Sequence, residues 1–239
     1  MQIKDKQKLF TEIAEKYKAV FCESLISIHI YGSAVTKDFN PKYSDINVAI
    51  LLEDLNLKNL IGAKETIKHL RKKHVIAPLF LSKQYIESSL DTFPIEFLNI
   101  QSSHKTIFGE DYFEKLEVNL EHLRLQSERE LKGKLLVLRL AFLENIGNIK
   151  IIRNLIFSSF SSLIPVMKAL IVLKNEEIPQ SIVDIINKTS DILEVDFTIF
   201  KRACDIKNRS IKLKRNDLIE FFEDYVQAVD EISEIVDKL

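Results

Sequence analysis

Strand-forming runs stop near residue 118, and the remainder of the chain reads as helix throughout. Before that point, "LISIHIY" (25–31) ends at Gly32 and "INVAILL" (46–52) comes after it. Both runs are short, apolar and bounded by turn residues, so both read as strands. "VIAPLFLS" (75–82) and "FPIEFLNI" (93–100) are predicted as a third and a fourth strand. Helices are predicted over 3–23, where Phe10, Ala14, Tyr17 and Phe21 repeat at helical spacing, and over 58–74. After the change, residues 119–145 predict a long helix with Leu131, Leu135, Leu138 and Phe142 on one stripe. Leu136, Leu140 and Leu143 form a second stripe, so burial on two sides is expected. Further helices are predicted near 151–173, 179–189, 195–207 and 217–237. This order defines an α+β chain: an N-terminal mixed β-sheet with helices over 1–115, then a C-terminal α-helical bundle over 116–239.

The 239 residues are 46% hydrophobic, enough to bury a sizeable core. A net charge of −1 supplies no basic field, so no nucleic-acid partner is expected. Cys22 and Cys204 are far apart and outside any metal spacing, which suits two reduced thiols in a cytoplasmic protein. The first residues lack the apolar core of a signal peptide. Residues 151–173 are long enough to span a bilayer but carry Arg153, Lys168, four serines and Pro165. A buried helix, or a broken pair, is the expectation there, with no membrane partner.

The chemistry concentrates in "HIYGSAVTKDFNPKYSDINVAI" (29–50). Gly32 ends a strand and Ser33 opens a helical turn. A glycine lets backbone approach a ligand closely, and the free amides of a helix start suit phosphate. On the next strand, residues two apart share a face, so Asp45 and Asn47 point together while Ile46, Val48 and Ile50 point into the core. Paired oxygen ligands suit Mg²⁺, which takes few protein ligands plus phosphate oxygens and water. Glu96, an acid inside the apolar "FPIEFLNI", is the candidate third ligand or general base.

These residues resemble the signature of the DNA polymerase beta-like nucleotidyltransferase superfamily: Gly-Ser, a spacer, acid-x-acid on a strand, and a later acid. "GSAV" followed by "SD" is similar to the bacterial aminoglycoside adenylyltransferases, which carry a C-terminal helical bundle. "FPIEFLNIQSSHKTIFGED" and "LRLQSERELKGKLL" resemble a group of bacterial nucleotidyltransferase-domain proteins of unassigned substrate. The resemblance implies transfer of a nucleoside monophosphate, AMP from ATP, to a hydroxyl of a small-molecule acceptor, with Mg²⁺ as cofactor. It implies that Asp45, Asn47 and Glu96 hold metal, with Glu96 as ligand or base, and that Gly32, Ser33 and Lys168 hold phosphates. Asn47 departs from the pattern, since the amide brings oxygen without charge. A nucleotide-binding sensor or regulatory module without turnover is the alternative.

Other polar features read as ordinary surface. Arg124, Glu128, Lys132 and Arg139 form a stripe expected on a solvated helix face. "KHLRKKH" (68–74) reads as the outside of a helix, His104 as a surface histidine, and "FGED" (108–111) as a turn into the second half. All five histidines precede residue 123, which counts against histidine-dependent ribonuclease chemistry in the bundle.

Overall fold

The computed structural model describes residues 3–41, 44–207 and 215–239. Lys42 and Tyr43, in the spacer of the Gly-Ser motif, lie outside them. The chain divides into two compact units, 1–118 and 119–239. An N-terminal mixed β-sheet with flanking helices is followed by an α-helical bundle.

In the first unit, α1 (Ile3–Phe21) leads into β1 (Leu25–Tyr31), and a single 3₁₀ turn (Gly32–Val35) comes next. Then come β2 (Asn47–Leu52), α2 (Leu57–Ile61), α3 (Lys64–Arg71), β3 (Leu79–Leu81), α4 (Lys83–Ser89), α5 (Pro94–Ser102) and β4 (His104–Gly109). The sheet order is β3-β2-β1-β4. β1 pairs antiparallel with β2 and β4, and β2 pairs parallel with β3. Alternation along the strands sorts the two faces. Ile28, Ile30, Val48, Ile50 and Leu52 join Phe10, Ile13 and Tyr17 of α1 in one core cluster. Ala49 and Leu51 join Ile86 of α4, Phe97 and Ile100 of α5, and Phe113 in a second cluster.

Residues 93–100 are not the expected strand. Pro94 opens helix α5 at its first position, where a fixed φ favours helix and a missing amide costs nothing. Pro94, Ile95, Phe97, Leu98 and Ile100 are buried, a spread that a helix lying on a sheet satisfies. The fourth strand is instead His104–Gly109, in the segment read as a surface histidine and a turn. The run expected over 75–82 shrinks to three residues plus an isolated bridge from Val75 to Ile46. Pro78 has no amide for a ladder and separates the two pieces. The helix expected over 58–74 divides around Gly62 into α2 and α3.

The second unit contains α6 (Leu120–Glu144), α7 (Ile149–Leu173), α8 (Ile182–Leu193), α9 (Thr198–Lys207) and α10 (Arg215–Val236). α7 runs unbroken through Pro165 and is long and apolar enough to cross a membrane; it is also mostly buried, with Ile152, Ile156, Phe160, Leu163, Met167 and Leu170 inside the bundle. Its polar Ser159 accepts a hydrogen bond from the Tyr225 hydroxyl of α10 at 3.0 Å. On α6, Leu131, Leu135 and Leu138 are buried as expected. Leu136, Leu140 and Leu143 are not: they are 69%, 60% and 67% exposed. One apolar stripe suffices to pack α6 within the bundle. The polar stripe of α6 ties helices together: Lys132 reaches Asp237 at 3.0 Å and Arg139 reaches Asp230 at 2.7 Å, both on or just after α10.

Tyr17 of α1 is fully buried, and its hydroxyl has no hydrogen-bond partner among the described residues. A buried unpaired hydroxyl costs about 1–3 kcal/mol. Tyr17→Phe keeps the ring contacts with Phe21 and Phe80. It is expected to raise unfolding free energy by about 1 kcal/mol in urea titrations.

Candidate functional site

The site grows from the end of the central strand. Gly32 takes φ +74, a left-handed conformation that only glycine adopts without strain. Its amide donates to the Ser103 carbonyl at 2.8 Å, at the junction of α5 and β4. A Cβ built on Gly32 would lie 2.9 Å from Nδ2 of Asn47. The Asn47 side-chain amide therefore sits against the bare Cα of Gly32, and the Gly-Ser turn shares a corner with the start of β2. Because the Gly32 amide is already engaged, the glycine gives this corner clearance rather than a donor. Ser33 is half-buried, and its carbonyl accepts from the Thr36 amide at 3.2 Å, closing the turn.

Asp45 stands one residue before the Ile46 bridge, with its side chain 60% exposed. Nδ1 of His74 lies 3.9 Å from Asp45 Oδ1, too long for a hydrogen bond but close enough for a charge contact. His74 is held there by φ +61 and by its carbonyl, which accepts the Ile46 amide at 2.8 Å. No spacing in the sequence singled it out. Glu96 lies in the first turn of α5 and is exposed, on a helix rather than a strand. α5 covers the sheet face that carries Asn47, because Phe97 and Ile100 pack with Ala49 and Leu51. Lys168 is buried in α7 of the second unit.

A second polar group lies on the same sheet face. In register across the sheet, Asn47 pairs with Tyr31 and Tyr31 with His104; one step along, Ala49 pairs with His29 and His29 with Thr106. His29 is fully buried. Its Nε2 lies 2.8 Å from Ser27 Oγ and its Nδ1 2.9 Å from Thr106 Oγ1. His104 Nδ1 lies 3.0 Å from the Gln101 carbonyl, and its Nε2 lies 2.8 and 2.9 Å from the two oxygens of Asp111. Asp111 also accepts from the amides of Phe113 and Glu114. The Phe113 ring meets the His29 ring edge-on at 4.8 Å. Among the described residues, His29, His104 and Asp111 form a cluster able to hold a metal ion. The alternating polar pattern of "SIHIY" (27–31) with "HKT" (104–106) was its signal in the sequence.

Electrostatics follows from burial. Desolvation pulls the His29 imidazole down to about 4; the Asp111 charge opposes this and His104 adds to it. Burial pushes the Asp111 carboxyl up, but hydrogen bonds from His104 and Thr106 outweigh it and hold the group below the usual carboxylate range. Burial also raises the Tyr31 hydroxyl.

The fold, an α+β unit followed by an α-helical bundle, has a likeness among solved structures. The chain is similar to spectinomycin adenyltransferase AAD(9) from Enterococcus faecialis, whose crystal structure contains ATP and spectinomycin. The TM-score is 0.59 at 11% identity, covering 94% of this chain and 99% of that one. No known family profile and no curated protein sequence matches the chain.

Burial of the His29 imidazole ties stability to pH. The unfolded chain takes up a proton near pH 6.5 and the folded chain does not until about pH 4. Stability from this group is therefore complete above pH 6.5 and falls as the pH drops toward 4. With a chelator present, the loss is expected to be on the order of 3 kcal/mol. Urea unfolding of the native chain and of His29→Gln, at pH 7 and pH 4.5, measures it as the part of the acid loss that the variant lacks.

Proposed function

We propose that the chain is an Mg²⁺-dependent nucleotidyltransferase that moves a nucleoside monophosphate, AMP from ATP, to a hydroxyl of a small-molecule acceptor. The observation that carries this reading is the contact between the Asn47 amide and the bare Gly32 Cα, which puts the Gly-Ser turn beside the head of β2. It is supported by a fold like that of an enzyme crystallised with ATP. In this reading Asp45 and Asn47 hold the metal, and Glu96 is the third ligand or the base. Ser33 and the amides after it meet phosphate oxygens, and Gly32 gives them room. Bound Mg²⁺ neutralises phosphate charge and lowers the acceptor hydroxyl's pKa. The protein's own contribution is placement of the triphosphate and the acceptor. The protein is placed in the cytoplasm, where Cys22 and Cys204 stay outside any disulfide.

A second reading has specific support. Asn47 is uncharged, and Glu96 lies exposed on a helix instead of beside Asp45 on a strand. That leaves Asp45 as the carboxylate set at the head of β2. Such a corner suits a module that binds nucleotide without turning it over.

Calorimetry with ATP and Mg²⁺ is expected to show binding that Gly32→Ala weakens at least about tenfold, because the new methyl strains the backbone and displaces Asn47. Asp45→Asn is expected to lower pyrophosphate release about a hundredfold or more. Unaltered ATP binding in Gly32→Ala rejects the site. Pyrophosphate release against a panel of hydroxyl acceptors separates the two readings. A native chain that binds ATP yet releases none, while Asn47→Asp does, establishes the second.

A further inference from the structure

The geometry points to a transition-metal site formed by His29, His104 and Asp111, separate from the nucleotide corner and selective for a Zn²⁺-class ion over Mg²⁺. The ligand atoms all lie within 4.8 Å of one another. An ion with bonds of about 2.1 Å fits there if each donor moves inward by no more than about 0.7 Å.

The His104 imidazole is oriented as a metal ligand is. A carbonyl only accepts, so His104 Nδ1 carries the proton that it donates to Gln101 O at 3.0 Å. That leaves Nε2 aimed at the Asp111 carboxylate, within 2.9 Å of both oxygens. The space between that nitrogen and the carboxylate takes a positive charge, either a proton or a metal ion. His29 has a hydroxyl at each ring nitrogen. Nε2 bonds Ser27 Oγ at 2.8 Å, while Nδ1 lies on the Thr106 side. The Thr106 hydroxyl also bonds Asp111 and so links His29 to the carboxylate. His104 thus has one nitrogen tied to an oxygen outside the cluster and the other turned inward, the outer-shell pattern that fixes a histidine ligand, while His29 would exchange one hydroxyl partner for the ion. The amides of Phe113 and Glu114 hold Asp111 in turn.

Two imidazoles and one carboxylate favour zinc and its neighbours; Mg²⁺ prefers oxygen donors. The site is also distinct in place. His104 and Asn47 lie on strands either side of Tyr31, two strand spacings or roughly 10 Å apart. An ion here would link β1 to β4 and to the turn after it, bracing the Ser103 carbonyl that holds Gly32. The assignment does not depend on nucleotide chemistry.

The test uses the full chain, stripped with chelator and titrated with Co²⁺. One Co²⁺ per chain with visible ligand-field bands is expected, displaced by Zn²⁺ and not by Mg²⁺. X-ray absorption at the zinc edge of the native chain should show two imidazoles and a carboxylate oxygen. His104→Asn and Asp111→Asn should lose the bands while keeping native far-UV circular dichroism. The zinc-edge result reads the ligands without any variant. Failure of the native chain to take up Co²⁺ or Zn²⁺ stoichiometrically overturns the assignment and leaves His104–Asp111 as an ion pair only. Equal displacement by Mg²⁺, or a zinc spectrum without imidazole, overturns it as well.

Discussion

The hydrogen bond from the Gly32 amide to the Ser103 carbonyl joins the two halves of the first unit's polar face. Gly32 ends the central strand, and Ser103 closes α5 and introduces β4. A residue with a Cβ in that left-handed conformation would push into Asn47. So one backbone contact fixes the turn, the head of β2 and the start of β4 relative to each other. It is worth about 1 kcal/mol net as an isolated bond. Its larger effect is geometric, because β1 is hydrogen-bonded on both sides and cannot shift register without turning its alternating side chains to the opposite face.

That alternation explains how polar groups come to lie inside. Ile28 and Ile30 face α1, while Ser27, His29 and Tyr31 face α4, α5 and Phe113. A fully buried imidazole between two strands requires partners, and hydroxyls on β1 and β4 supply them. The polar row and the apolar row are thus two outcomes of one period-two pattern, and the polar row ends at the Gly-Ser corner.

Much of this was legible in the sequence. β1, β2, α1 and the bundle helices carry strong periodicity, and the Gly-Ser turn with Asp45 and Asn47 is a local signal. What escaped depends on tertiary context. "FPIEFLNI" fits a period of two as well as a helix buried on several faces, and Pro94 decides it by favouring a first helical turn. "HKTIFG" is short, and its leading His-Lys-Thr is polar enough to suggest a loop. It forms a strand because β1 offers an open edge beside it. Leu136, Leu140 and Leu143 follow a helical stripe as regular as the buried one. Periodicity reports that a face is apolar, not that something covers it.

If the Gly-Ser corner holds nucleotide as proposed, its charge bears on how binding and catalysis divide. A carboxylate at position 47 would attract a divalent ion before any nucleotide arrives; an amide gives it an oxygen and no charge. The ion's affinity for such a corner then depends more on the triphosphate's own oxygens, so metal and nucleotide should arrive together. Glu96 cannot make up the missing charge by strand geometry, because it is carried on an exposed helical turn. Asp45, with a side chain open to solvent and His74 at 3.9 Å, is the carboxylate left at the head of β2. A corner with less fixed negative charge repels a polyanionic ligand less, and stabilises charge less where the α-phosphorus reacts. In the proposed site the amide of Asn47 would therefore favour capture of nucleotide over its turnover, the balance on which the two functional readings differ.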